Sequence, residues 1–183
     1  GLIVTNDDEI AQKLDAIAYP GLTANFDAAK TAALGITLQD WKSVGRDYAQ
    51  MMVKTSQALA QHLQNLGVDI FAADKGFTTS HQFAILAAPY GGGQKAARRM
   101  GDAGLLACGI GLPVEPVEGD LSGLRIGTPE IVRLGMKVEH MDQLAVFIAR
   151  SLDTAVDSKS IQREVTEWRK QFSGVHYTVD LPN

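Results

Sequence analysis

The stretch that most constrains the fold is Ser122-Gly123-Leu124-Arg125-Ile126-Gly127-Thr128-Pro129, with its continuation Glu130-Ile131-Val132-Arg133-Leu134-Gly135. Residues 124–126 read as a short apolar strand with an arginine at its middle, punctuated closely by Gly123, Gly127 and Pro129. A guanidinium set between two apolar strand residues is costly to bury unless a carboxylate meets it. Its planar fork matches a carboxylate through two parallel hydrogen bonds. That carboxylate can belong to the protein, giving an ion pair inside the fold, or to a bound ligand. On these residues alone the internal ion pair is the default, because buried arginines are usually paired within their own protein.

A chain of 183 residues supplies one domain, or one domain and a small part of another. Hydrophobic residues make up 45% and charged residues 21%, enough apolar material for a sizeable core. The net charge of −4 speaks against a general nucleic-acid footprint. No run of about 18 apolar residues occurs, so no membrane-crossing helix is expected. Cys108 is the only cysteine, which rules out an intrachain disulfide. With no secretory signal legible, that usage points to a reducing, cytoplasmic setting.

Residues 1–6, Gly-Leu-Ile-Val-Thr-Asn, predict a buried strand that opens with no lead-in. Asp7, Asp8 and Glu9 then mark a helix start, with acids favoured in the first turn. Ile10, Leu14 and Ile17 recur at helical spacing, and Tyr19-Pro20-Gly21 ends that helix. Residues 26–38, small and mostly apolar, predict a buried helix. Asp40 is expected to cap a long helix whose apolar face carries Val44, Tyr48, Met51, Met52, Thr55, Leu59, Leu63 and Leu66, stopped by Gly67. The methionine pair is read as core filler and His62 as a helix-surface residue.

From Val68 the period changes. Residues 68–72 and 82–87 predict short strands around a turn at Asp74-Lys75-Gly76. His81, just before the second strand, is read as a structural hydrogen-bonding residue. Gly91-Gly92-Gly93 opens a helix over 94–103. Such glycines can cradle phosphate, but without a spaced fingerprint a turn is the better reading. Arg98 and Arg99 are assigned to a solvated face. A strand over 105–112 is followed by Pro113 and an acidic loop through Glu115, Glu118 and Asp120. Val138, Met141, Leu144, Ala145, Ile148 and Leu152 form an amphipathic helix. A last helix carries Ile161, Val165, Trp168 and Phe172, and the tail from Val175 is expected along the surface. Strands alternating with helices after Gly67 suit an α+β unit, a sheet covered by helices on one face.

The run Ser122 to Pro129, then Arg133-Leu134-Gly135-Met136 and an amphipathic helix, resembles the C-terminal end of serine hydroxymethyltransferases. The resemblance covers roughly residues 1 to 155. It implies an α/β fold class: the C-terminal portion of a fold-type-I, pyridoxal-phosphate-dependent transferase, mostly its α+β small domain. Residues 1–38 would close the large cofactor domain. Residues 39–157 would be the long interdomain helix and small domain, and residues 158–183 a C-terminal helix and tail. Gly1 would then mark a cut in a longer chain whose N-terminal portion holds most of the cofactor domain.

The same resemblance assigns Arg125 to the substrate α-carboxylate, where it would set the bond to be broken perpendicular to the cofactor ring. It implies an amino-acid substrate and a homodimer or dimer of dimers, with Tyr19-Pro20-Gly21 where the chain crosses to its partner. Backbone amides at Ala24 and Asn25 would meet the cofactor phosphate across that dimer. The family has glycines and a proline there, and a following histidine that this chain lacks. The Schiff-base lysine is expected upstream of Gly1, so these residues alone are not expected to be competent.

Members that use tetrahydrofolate carry asparagines before the proline matched by Pro113. Here the run is Cys108-Gly109-Ile110-Gly111-Leu112, and the loop to the arginine is a residue shorter. The expected activity is interconversion of serine and glycine by one-carbon transfer, with tetrahydrofolate left open. A folate-independent aldolase or transaldolase on a β-hydroxy amino acid is the close alternative. A non-catalytic fragment with only a packing or dimerisation role is the alternative from another class.

Overall fold

The computed structural model describes residues 2–23, 25 and 27–179. The chain divides into two compact units, Gly1–Gln39 and Asp40–Asn183. In the first, helix α1 (Asp8–Ala16) starts where the acids predict. The Asp7 carboxylate accepts the Ile10 N–H at 3.0 Å, satisfying one free donor of the first turn. The helix gives way to a kinked turn at Tyr19 and Pro20.

The strand expected over residues 1–6 does not form among the described residues. Leu2, Ile3 and Val4 are exposed, and no strand of this unit lies beside them to accept a ladder of hydrogen bonds. Helix α2 (Ala28–Asn65) begins behind Asp27, whose carboxylate accepts the Lys30 N–H at 3.0 Å. The burial expected over 26–38 is also absent: only Leu34 is half-buried among residues 28–39, and Phe26 lies outside the described residues.

Asp40 is not a cap. Helix α2 runs straight through it, and its carboxylate is committed elsewhere, to Arg133 at 3.1 Å and to the Val179 N–H at 2.9 Å. From there on the expected face is the buried one: Tyr48, Met52, Thr55, Leu59 and Leu63 are all buried. Leu66 is the exception at 49% exposed, because Gly67 turns the chain away with φ +82.

The second unit is built on a three-stranded antiparallel sheet of β1 (Gln82–Leu86), β2 (Cys108–Ile110) and β3 (Gly123–Gly127), with β3 in the centre. Phe83, Ile85, Leu124 and Ile126 alternate onto one face and are buried there with Leu59 and Leu63 of α2. Helices α3 (Gly93–Asp102), α5 (Met141–Leu152) and α6 (Ser158–Arg169) complete that layer, and the short α4 (Pro129–Arg133) follows β3. Met141, Leu144, Ala145 and Ile148 enter the main core, while Ile161 and Val165 pack with Phe147 and Ala103. The expected α+β arrangement is therefore present.

Two strands are shorter than the sequence predicts. Residues 68–72 reduce to a single bridge, Ile70 opposite Ile85, flanked by Phe71 N–H to Ala84 O and Leu86 N–H to Asp69 O, both 2.9 Å. The segment 105–112 pairs only over β2, since its ends bond elsewhere. The Leu105 N–H goes back to Met100 O at the exit of α3, and the Leu112 N–H goes to Ser122 Oγ, each at 2.9 Å. Arg98 is exposed as expected, whereas Arg99 donates to Leu152 O at 2.7 Å and closes the end of α5. Residues 176 and 177 are held against the second unit's surface. The His176 N–H donates to Arg133 O at 2.8 Å, and the Tyr177 ring stacks on Tyr48 with centroids 5.2 Å apart.

Candidate functional site

Period-two alternation decides where Arg125 goes. Leu124 and Ile126 take the core face, so Arg125 stands on the opposite one, with Ala84 and Cys108 directly across from it on β1 and β2. The premise of a guanidinium buried among apolar residues is therefore corrected: Arg125 is exposed. Among the described residues its guanidinium makes no hydrogen bond or ion pair. It lines an open groove of about 470 Å³ together with His81, Gln82, Leu106, Cys108 and Pro129. A cation that its own sheet leaves unmatched, on a concave surface, is equipped to take a carboxylate from outside.

The backbone carrying Arg125 is held at both ends. Thr128 is fully buried, and its Oγ1 donates to Met52 O of α2 at 2.8 Å while its N–H donates to His81 O at 3.0 Å. The Tyr48 hydroxyl donates to Pro129 O at 2.8 Å. Burial pushes the Tyr48 hydroxyl pKa up, with the Arg133 guanidinium acting in the opposite direction. Upstream, Ser122 Oγ accepts the Leu112 N–H at 2.9 Å and donates to Leu112 O at 3.3 Å, fastening the loop before β3. Each such bond contributes on the order of 1 kcal/mol net, and together they fix the direction from which Arg125 projects.

The glycine run before α3 holds no space for phosphate. Asp120 Oδ1 accepts the Gln94 N–H at 2.8 Å, and Oδ2 accepts the Lys95 N–H at 3.1 Å, so the helix start already has its anion. The Gln94 N–H foremost, then those of Leu121 and Lys95, hold the Asp120 carboxyl below the usual carboxylate range against some desolvation.

His81 engages through its backbone carbonyl and is one of the residues bordering the Arg125 groove. Asn25 is exposed, and Ala24 lies outside the described residues. Among the described residues no group of histidine, cysteine, aspartate or glutamate could hold a metal ion. The sequence reading missed Thr128, Tyr48, Asp120 and Leu106 as parts of this region. Only Leu106 left a local signal, since it comes two residues before Cys108 in the segment expected as a strand.

A helix-covered antiparallel sheet presenting one arginine on its open face is the C-terminal portion of the fold-type-I transferase class. Residues 4–148 match the family described as serine hydroxymethyltransferase. The chain is 56% identical over 179 residues to an α-methylserine aldolase of Variovorax paradoxus, covering 98% of this chain and 40% of that protein. It is 38% identical over 186 residues to the serine hydroxymethyltransferase of Sulfolobus acidocaldarius, covering 99% and 43%. Among solved structures it resembles the L-threonine transaldolase of Pseudomonas fluorescens, with a TM-score of 0.77 and 26% identity over 87% of this chain and 36% of that one. The chain belongs to the serine hydroxymethyltransferase family, and it spans about 40% of the length of the curated relatives it matches.

Proposed function

We propose that this chain supplies the substrate-carboxylate side of a pyridoxal-phosphate-dependent aldolase or transaldolase acting on a β-hydroxy amino acid of the α-methylserine type. This departs from serine–glycine one-carbon transfer. The observation that carries the reading is Arg125, unpaired among the described residues and facing an open groove. Two further observations favour an aldolase. Several relatives of more than 50% identity are α-methylserine aldolases, and the structural neighbour is a transaldolase. The run 108–112 also carries none of the asparagines of folate-using members, which leaves tetrahydrofolate without those partners.

Neither the start of α3 nor the Arg125 groove offers a pyridoxal phosphate site among the described residues. The glycine-led start of α3 is filled by Asp120, and no lysine borders the Arg125 groove. What this chain does is grip a carboxylate between the two arms of a guanidinium and so fix the α-carbon beside it. Orientation of this kind contributes by holding the reacting bond in one geometry. A homodimer or dimer of dimers in a cytoplasmic setting belongs to the same reading.

The test is Arg125→Lys in the full-length enzyme. Lysine keeps the charge but loses the fork. Loss of one of two charge-assisted hydrogen bonds costs about 1.5–3 kcal/mol, or roughly 10- to 150-fold in kcat/KM. Thermal stability should stay within about a degree, since Arg125 holds nothing of its own described chain. A variant that melts early yet keeps its kcat/KM would show a structural arginine and sink the proposal.

A further inference from the structure

The face that carries Arg125 has two unlike walls. On the β1 side stand His81 and Gln82, both able to hydrogen-bond. On the β2 side stand Leu106, Ala107 and Cys108, which offer almost nothing polar. Cys108 lies directly opposite Arg125, and Leu106, two residues before it in the segment leading into β2, borders the same groove. Leu106 is 95% exposed, the most exposed large apolar side chain among the described residues. Gly127 borders the same groove, and an added Cβ there would find no atom closer than 3.6 Å. The groove thus holds a cation, room for a methyl-sized group beside it, and one uncovered leucine at its rim.

We infer that Leu106 reads the substituent on the substrate's α-carbon, making the site selective for amino acids with an apolar group there in place of hydrogen. This inference rests on the proposed function, because it takes Arg125 as the carboxylate ligand. The α-carbon is bonded to the carboxylate, so a carboxylate anchored on Arg125 brings that carbon into the groove. Its amino and hydroxyl-bearing groups are better placed toward the β1 wall, where His81 and Gln82 can bond them, than toward the β2 wall, whose side chains offer only a weakly polar thiol. An α-methyl group turned to that wall covers Leu106 and removes apolar surface of both from water. An α-hydrogen makes no such apolar contact with Leu106. A methyl group in an apolar pocket discriminates by about 10-fold or more.

The experiment uses the full-length enzyme as wild type, Leu106→Ala, Leu106→Asn and Leu106→Met. Calorimetry compares 2-aminoisobutyrate with alanine, which differ by one α-methyl group and have no β-hydroxyl to be cleaved. Kinetics compare kcat/KM for α-methylserine and serine. The wild type should prefer the methylated member of each pair by about 10-fold or more. Alanine and asparagine at position 106 should cut that preference at least threefold, and methionine, apolar and of similar volume, should keep it. Should Leu106→Ala fail to fold, Leu106→Asn carries the comparison. A preference unchanged in the alanine or asparagine variant, with a lowered melting temperature, assigns Leu106 to packing and overturns the inference. So does a wild type that needs Arg125 for amino-acid binding yet shows no methyl preference; the proposed function then survives. A wild type that binds neither amino acid, with Arg125→Lys indistinguishable from it, overturns both.

Discussion

Asp120 shows how one side chain can close a site that the sequence leaves open. Three glycines before a helix suggest room for an anion, and the anion is a carboxylate from the loop before β3. The backbone N–H groups of Gln94, Leu121 and Lys95 favour its charged form and lower its pKa. A carboxyl with a lowered folded pKa stabilises the fold above its ordinary value of about 4. That stabilisation is lost as pH falls through the lowered value. Asp120→Asn should therefore lower the urea midpoint at neutral pH, and the gap to wild type should shrink as pH drops below about 4. A gap that stays constant across that range would mean that the charge is not what matters. Arg125 was legible from sequence as a lone cation in a strand, since glycines and a proline framed it. Its exposure was not, because which face of a strand is buried depends on what packs against it. Thr128 and Tyr48 gave no local sign at all, as their acceptors lie 76 and 81 residues away in the chain.

Among the elements, α3 sits closest to the sheet, and Gly93 is the reason. A Cβ there would lie 2.0 Å from Gly123 O and 2.9 Å from Gly109 Cα. These are backbone atoms of β3, which carries Arg125, and of its neighbour β2, and they cannot swing aside. Gly93→Ala should cost on the order of 3–5 kcal/mol or prevent folding. Gly101 lies in the same helix with nothing within 4 Å of its missing Cβ, so Gly101→Ala should stabilise by about 0.5–1 kcal/mol. Urea titration of the pair separates close packing from helix propensity; equal effects would refute the argument. Helices α5, α6 and the second half of α2 were legible because a 3.6-residue period is written within one segment. The strands over 68–72 and 105–112 came out shorter because their length is set by partners elsewhere, such as Ser122 Oγ and Met100 O. Asp40 misled for a related reason: aspartate before an apolar run is a cap signal, yet here it is the acceptor for Arg133 and Val179.

The two units of the whole chain differ in what holds them together. Residues 40–179 share a core of Leu59, Ile85, Leu124, Met141 and Ile148, with the tail tied back through Arg133 and Asp40. Helix α1 has no buried residue, and Leu2, Ile3, Val4, Ile10, Ile17, Leu22 and Ile36 are exposed. A helix of 9 residues without a packed face is marginal in water, since most helical stability comes from burial. Local opening should therefore be easiest within residues 2–39. Limited proteolysis of this 183-residue chain should cut first there and leave a resistant piece starting near Asp40. Hydrogen exchange should show the same division, with slow amides on β1, β3 and α5 and fast ones on α1. The exposed apolar side chains should also bind a hydrophobic dye, and removal of residues 1–39 should abolish most of that signal. A first cut within residues 82–152, or protection of α1 equal to that of β3, would show that the N-terminal unit has a core of its own and would overturn this ranking.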